Sequence, residues 1–389
     1  MTSRLLLASG PGAAEHVAAH GPLPQPRPAG DLIEEVAAAG LTGRGGAGFP
    51  VASKLRAVRA GERPVVVANG AEGEPASSKD RVLLARAPHL VLDGLALAAD
   101  AVGAGRALIY VHEGPAVAAV RRALAERSDR CPAHLVTAPA RFVAGEESAV
   151  VSRLSGRAPL PRSKPPMVYA SGVDGRPTLV QNVETLAHLA LIVRHGAAWF
   201  RRAGTAAEPG TMLCTVSGAV AAPGVVEVAV GERLTAVLGG SVRAVLVGGY
   251  HGTWVRGGDL THRRLSAASL SAVDARPGAG VLVVLGDHEC PLRVSARVAD
   301  YLARQSARQC GPCLNGLPAM ASSLRAVAGV PSPASAAQRV LDLTGLVAGR
   351  GACHHPDGSA RFVRSTVTVF ADEVAAHADG RCSAAEPAP

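Results

Sequence analysis

From about residue 64 the chain alternates short β-branched runs with longer apolar helical stretches, and this rhythm restricts the fold more than any other feature. Val65-Val66-Val67-Ala68 reads as a buried strand, Val82 to Val102 as an apolar helix, and Ala107 to Val111 as a second strand. A helix from Pro115 to Arg127 and a strand over His134 to Ala138 repeat the pattern. Strands separated by helix-length segments pair in parallel through crossovers, so the expectation is an α/β class with a partly parallel sheet and covering helices. Glu146 to Leu154 and Val183 to Val193 read as further helices.

The texture changes near residue 205. Met212 to Ser217, Gly224 to Val228, Val242 to Val247 and Gly280 to Leu285 are short strands set between Gly and Pro turns. Their spacing predicts a small β-rich domain over 206–287. After His288 the pattern turns helical: Pro291 to Arg308, Leu317 to Val327, Ser335 to Thr344 and Ser359 to His377. The expected order is an N-terminal arm (1–30), an α/β domain (31–205), the β-rich domain, a helical domain (288–378) and a tail (379–389). Five prolines in the first thirty residues suggest a loose or wrapping arm.

With 389 residues the chain is long enough for two or three cores. Its net charge of +9 comes from scattered arginines rather than a basic stripe interleaved with aromatics, which argues against nucleic acid as a partner. The apolar run at Leu5 to Leu7 is far too short for a secretory h-region, and no segment has the length of a membrane span, so a cytoplasmic location is expected. Seven cysteines in such a setting read as metal or redox ligands rather than disulfides.

Gly43 to Pro50 reads G-R-G-G-A-G-F-P, four glycines within six positions, with Lys54 following. Such a backbone is unshielded, so successive N–H groups can converge on an anion at the start of a helix over Val51 to Val58, which Pro50 suits. Asn69-Gly70-Ala71-Glu72-Gly73-Glu74-Pro75 follows the first strand directly and leads to Lys79-Asp80-Arg81. That is the strand end at which α/β sheets bind ligands. Asn69 suits a heterocycle edge, and Glu72 and Glu74 suit ribose hydroxyls, although a solvated acidic turn would look the same. Gly145-Glu146-Glu147-Ser148 places paired carboxylates at a helix start, where compensation of the helix dipole is the plainer role. Pro159 to Pro166 is a rigid basic loop, and Gln181-Asn182-Val183-Glu184-Thr185 offers amide and hydroxyl groups at another helix start.

Cys310-Gly311-Pro312-Cys313 is a C-x-x-C, with Cys353 following after 39 residues. Three chemistries fit: a thioredoxin-like redox pair, a zinc site completed by Cys353-His354-His355, or an iron–sulfur cluster drawing thiolates from separate segments. A helix rather than a strand precedes the pair, which counts against the first. Cys131, Cys214 and Cys290 lie in apolar surroundings and read as packing residues.

Taken in order, G-R-G-G-A-G-F-P with Lys54, N-x-x-E-G-E-P with K-D-R, G-E-E-S, P-R-x-K-P-P, N-V-E-T and C-x-P-C resemble the flavin-carrying, NADH-oxidising subunit of respiratory complex I. Related subunits of NAD-dependent hydrogenases and formate dehydrogenases share the set. The resemblance spans roughly residues 35 to 370. It implies a Rossmann-like domain for flavin mononucleotide (FMN), a β-grasp domain of the soluble-ligand-binding type, and a helical domain holding a [4Fe–4S] cluster. By motif match, Gly43, Arg44, Gly45, Gly46, Lys54, Asn69, Glu72, Gly145, Glu146, Asn182 and Thr185 would hold FMN. Phe49 would stack on the adenine of NADH, with Glu74, Phe142 and Glu147 near the dinucleotide. The implied chemistry is hydride transfer from NAD(P)H to the flavin, then single electrons through the cluster to a ferredoxin-like carrier or another redox subunit.

The chain departs from the family pattern at Ala71, Ser78, Phe142 and Ala307. Ala307 stands where the first of four cluster cysteines is expected, leaving Cys310, Cys313 and Cys353, with Cys382 or one of His354 and His355 as the candidate fourth ligand. Two other functions are compatible with these losses: a non-enzymatic homologue that binds a nucleotide or partner, and a zinc-stabilised binding protein.

Overall fold

The computed structural model describes residues 3–384. The chain forms two compact units. One holds the chain up to Thr215 together with Val225–Glu232, and the other holds Val216–Gly224 and the chain from Arg233.

The first unit is built on four parallel strands, β1 (Val65–Gly70), β2 (Arg106–His112), β3 (Ala133–Ala138) and β4 (Thr178–Asn182), in the order β3-β2-β1-β4. Val65 pairs with Arg106 on one side and Thr178 on the other. Period-two alternation sends Val66, Ala68, Ile109 and Val111 into one core and Val65, Val67, Leu108 and Tyr110 into another. Both faces are thus covered, as a parallel sheet requires. The expected α/β class is present. Strand β4 was not expected, because Thr178-Leu179-Val180-Gln181-Asn182 is short and runs without a turn into the helix Val183–His195.

The apolar stretch read as one helix from Val82 to Val102 is two, Lys79–Arg86 and Pro88–Val102, bent by 95°. Pro88 lacks an N–H and its ring cannot pass the carbonyl one turn back, so the first helix stops at Arg86. No single helix among the described residues is long and apolar enough to cross a membrane. This bent pair alone passes by length and composition, and Pro88–Val102 is buried along nearly all of its length, as a core helix is.

Residues 3–30, expected as a loose or wrapping arm, pack on the first unit. Ala13–His20 is helical and Leu5 is fully buried. Asp93, buried in the core helix, receives His16 at 2.8 Å and Arg127 at 2.8 Å, and also pairs with Arg194.

Strands β5 (Thr211–Gly218) and β6 (Gly224–Ala229) continue from the first unit, and β7 (Ala244–Val247), β8 (Thr253–Arg256) and β9 (Val281–Val284) lie in the second. β7 runs antiparallel to both β8 and β9. The helices of the second unit are Pro291–Arg304, Leu317–Val327, Ala336–Val347, His355–Val369 and Ala371–Ala378, with short helical segments among them. The predicted helix Ser359 to His377 is therefore interrupted at Phe370, which leaves helical geometry at φ −108°, ψ 39° directly after the β-branched run Thr366–Val369. Trp254 anchors this core: its Nε1 donates to Ser295 Oγ at 3.0 Å, and its ring meets Phe370 edge-on at 5.5 Å. The tail expected over 379–389 is described only to residue 384.

Candidate functional site

The motif segments of the first unit gather at the C-terminal ends of β1 and β4. The Gly43–Pro50 loop is closed by an isolated bridge between Thr42 and Pro50 and by Gly43 N–H donating to the Phe49 carbonyl at 2.9 Å. Within it Gly46 and Gly48 take φ values of 105° and 64°, which side chains rarely adopt, so the glycines there are required by the turn. Gly45 through Phe49 are exposed, Phe49 by half its surface. The loop feeds the helix Val51–Arg59, with Pro50 at its N-cap rather than within its first turn.

Arg44 N–H donates to Thr185 Oγ1 at 2.9 Å, tying the loop to the helix after β4. Its guanidinium is spent on the fold, at 3.1 Å from both Thr42 Oγ1 and the Pro209 carbonyl, and burial lowers its pKa. Lys54 Nζ lies 2.6 Å from Glu147 Oε1 and donates to the Val180 carbonyl at 3.1 Å. Lys164, from the basic proline loop, reaches Glu146 Oε1 at 3.2 Å and Glu147 Oε2 at 3.9 Å. Two ammonium groups and two carboxylates therefore interleave, all partly exposed.

Asn69, at the end of β1, donates to the Gly145 carbonyl at 2.9 Å and accepts from Ala71 N–H at 3.2 Å. Glu72 is consumed as a helix cap: its carboxylate accepts from the N–H groups of Asp80 and Arg81, both at 3.2 Å, at the start of Lys79–Arg86. Glu146 caps the next helix through Ser148 and Ala149. Capping accounts for the backbone contacts of these two carboxylates; Glu72 also accepts from Ser77 Oγ, and Glu146 also pairs with Lys164. Glu74 accepts from Ala76 N–H at 3.3 Å, and Phe142 opens the short helical turn Phe142–Gly145. The two segments meet without clearance. A Cβ on Gly73 would stand 2.5 Å from the Phe142 carbonyl oxygen, and one on Gly145 would stand 2.7 Å from that of Ala71.

Beneath the rim lies a buried charge network that sequence reasoning missed as a site feature. Lys79 Nζ lies 2.8 Å from both Asp80 Oδ1 and Glu184 Oε2, and 3.4 Å from Asn182 Oδ1. Burial alone would lower the Lys79 pKa, but the two carboxylates reverse it and hold the ammonium charged. Burial pushes Asp80 up to about 6 against the opposing pull of Lys79. Glu184 is held down at about 2 because Lys79, His188 and Arg44 outweigh its own burial. Asn182 Nδ2 donates to Asp80 Oδ2 at 2.7 Å, so the network fixes Asn182 at the tip of β4. Lys79 and Glu184 sit inside the K-D-R and N-V-E-T motifs, which was the available signal.

In the second unit Cys310, Cys313 and Cys353 come together. Cys310 and Cys313 share a side-chain hydrogen bond, the backbone of Ala352 donates to Cys310, and Cys353 acts on Cys313 electrostatically. Burial, followed by the two neighbouring sulfurs, pushes the Cys313 thiol up to about 11, a setting that favours a cation among the three. Cys313 lies on a wide helical turn, Pro312–Gly316. Ser306 Oγ, next to Ala307, is buried without a hydrogen-bond partner among the described residues. The donor set fits an iron–sulfur cluster with three thiolates. His355 is turned away from such a role, with Nε2 on the Leu302 carbonyl at 2.9 Å and Nδ1 on His251 at 3.0 Å. His354 is almost fully exposed. Cys382 does not join the three; it stands with Cys290, Glu373 and His377, and Cys290 is correspondingly more than a packing residue.

A parallel sheet with a glycine loop at its strand ends, followed by a three-cysteine helical unit, defines a nucleotide-binding redox protein with an iron–sulfur region. Residues 36–191 match the Nuo51 FMN-binding domain and residues 293–377 the NADH-ubiquinone oxidoreductase-F iron-sulfur binding region. The chain is 32% identical over 378 residues to the second F subunit of the NADH-quinone oxidoreductase of Rhizobium meliloti, covering 90% of this chain and 89% of the relative. It is 31% identical to the F subunit of the Escherichia coli NADH-quinone oxidoreductase, covering 88% and 83%. The HndC subunit of the NADP-reducing hydrogenase of Solidesulfovibrio fructosivorans is 28% identical, covering 90% and 76%. The fold superposes on a chain of the NAD+-reducing [NiFe]-hydrogenase in the H2-reduced state with a TM-score of 0.83 and 32% identity, over 90% of this chain and 63% of that one. The protein belongs to the family of NADH-quinone oxidoreductase F subunits, a family of oxidoreductase components. Its cofactors are FMN and a [4Fe–4S] cluster, and NAD(H) fits as substrate.

Proposed function

We propose that the protein oxidises NADH or NADPH at FMN and delivers electrons through its cluster to a partner redox subunit or a small carrier such as a ferredoxin, in the cytoplasm. The observation that carries this reading is the meeting of the Gly43–Phe49 loop, Asn69, Gly145, Asn182 and Thr185 around the ends of β1 and β4. Bound flavin supplies the exchange between a two-electron donor and single electrons, which an iron–sulfur cluster carries onward.

The chain's own residues position and shield. The exposed loop from Gly45 presents backbone N–H groups to a phosphate, at the N-terminus of Val51–Arg59. Gly43, Arg44, Gly45 and Gly46 shape that cradle, and Lys54, oriented by Glu147 and the Val180 carbonyl, adds charge at its edge. Asn69, Asn182 and Thr185 tie the strand ends to the neighbouring loops, Glu72 and Glu146 cap the two flanking helices, and Gly145 lets its segment approach the Ala71 carbonyl closely. Phe49, half exposed, offers a face for a base, with Glu74, Phe142 and Glu147 lining the approach. Cys310, Cys313 and Cys353 supply three thiolates. The net charge of +9 favours encounter with an acidic carrier. NADH titration of the anaerobic protein tests the reading: bleaching of flavin absorbance supports it, and an unchanged spectrum with flavin bound rejects it.

A further inference from the structure

Cys290, Glu373, His377 and Cys382 are drawn from one loop, one helix and one tail, yet their ligand atoms all lie within 4.8 Å of one another. Cys290 Sγ is 3.4 Å from His377 Nε2 and 3.9 Å from Glu373 Oε1, and those two atoms are 3.2 Å apart. Around a tetrahedral Zn2+ with bonds of about 2.3 Å to sulfur and about 2.0 Å to nitrogen or oxygen, neighbouring ligand atoms stand about 3.3 to 3.8 Å apart. The observed separations, 3.2 to 3.9 Å, lie within about half an ångström of those edges. Cys382 hydrogen-bonds to both Cys290 and Glu373, which completes the four.

The surroundings orient these atoms. His377 Nδ1 lies 3.1 Å from the Gly329 carbonyl, a hydrogen bond of the kind that orients metal-bound histidine, and Nε2 faces the Cys290 sulfur and the Glu373 carboxylate. The first-turn N–H groups of Leu292 and Arg293 donate to Cys290, and Ser383 N–H donates to Glu373 Oε1 at 2.9 Å. Glu373 and His377 are four apart on Ala371–Ala378 and so share one face. Gly380, at φ 78°, reverses the chain past that helix, and Arg381 N–H closes on the Ala376 carbonyl at 2.8 Å, which brings Cys382 back. Cys290, Glu373 and His377 are buried and Cys382 partly so. A shut, four-donor S2NO set is that of a structural zinc site, with no open position for substrate.

We propose that Cys290, Glu373, His377 and Cys382 bind one Zn2+, separate from the cluster held by Cys310, Cys313 and Cys353, and that this ion fastens the C-terminal segment to the second unit.

The test is elemental analysis of full-length protein purified anaerobically without metal-affinity chromatography. About one zinc per chain is expected, alongside the iron. Cys290→Ser and His377→Ala should each lower zinc about tenfold or more at unchanged iron, whereas Cys310→Ser should lower iron and leave zinc. Should Cys290→Ser not fold, Co2+ exchanged into the wild-type protein gives a second readout: thiolate-to-cobalt charge transfer with intense tetrahedral d–d bands. Three results would overturn the proposal. They are zinc-free wild-type protein without a cobalt spectrum, a Cys290–Cys382 disulfide in that protein, or loss of iron rather than zinc in Cys382→Ala.

Discussion

Replacing Lys79 with methionine probes the buried floor beneath the glycine loop. The ammonium is 1% exposed and answers two carboxylates at 2.8 Å each, with Glu184 as buried as itself. Methionine fills a similar volume but leaves both carboxylates facing each other with their cation gone. Breaking a buried pair in this way costs about 3–5 kcal/mol. Asp80 is the group that relieves the strain by taking a proton, because burial already lifts it to about 6, well above an unfolded carboxyl at 3.8. A carboxyl with a raised folded-state pKa favours folding at low pH and disfavours it as pH climbs past that value. The loss in Lys79→Met is therefore largest near about pH 8 and smaller by about 1 kcal/mol or more near about pH 5.5. The double variant Lys79→Met/Glu184→Gln should recover about half of it, since removing both partners costs far less than removing one. Trp199 and Trp254 are the only tryptophans and lie in different units, so urea unfolding in a Trp254→Phe background reports the first unit alone. A loss below about 1 kcal/mol, or one that does not change with pH, would refute the network as a buried salt-linked support.

Asp93→Asn should destabilise by about 3–5 kcal/mol, because it removes the buried carboxylate that answers Arg194 and His16 and one of the two that answer Arg127; thermal unfolding checks this. Burial works against ionised Asp93, but His16 and the two arginines outweigh it and hold its pKa near 2, so its contribution is present above about pH 4 and fades as pH falls toward 2, a slope the variant should lack. Gly145→Ala places a Cβ 2.7 Å from the Ala71 carbonyl oxygen and forces the two loops apart. FMN affinity, measured by flavin fluorescence quenching, should fall about tenfold or more while the fold survives. Lys54→Ala should change stability by no more than about 1 kcal/mol, since its pair with Glu147 is partly exposed, yet weaken FMN binding by a larger factor in the same assay.

The parallel strands were legible because Val65–Ala68 and Ala107–Val111 are buried on both faces and need no alternating pattern. The exposed turn over Gly43–Pro50 was legible from its glycines, and the three cysteines from the C-x-x-C and its distant partner. What stayed hidden depended on long-range contacts. Lys79 and Glu184 stand 105 positions apart and meet only in the folded core. Glu146 was legible as a residue of a helix start, whereas Glu72 read as a ribose-binding or solvated carboxylate and its capping of Lys79–Arg86 is visible only once that helix boundary is fixed. Cys290 looked inert because its companions lie more than eighty positions away, beyond the reach of any local spacing rule.

Anaerobic purification of the full chain with flavin and iron quantified together, followed by NADH addition, decides whether this chain carries electrons from a nicotinamide to its cluster. About one FMN and about four irons per chain are expected, with flavin bleaching and a reduced-cluster electron paramagnetic resonance signal on NADH addition. Protein that carries neither flavin nor iron, or that holds both and gives no response to NADH or NADPH, would contradict that role.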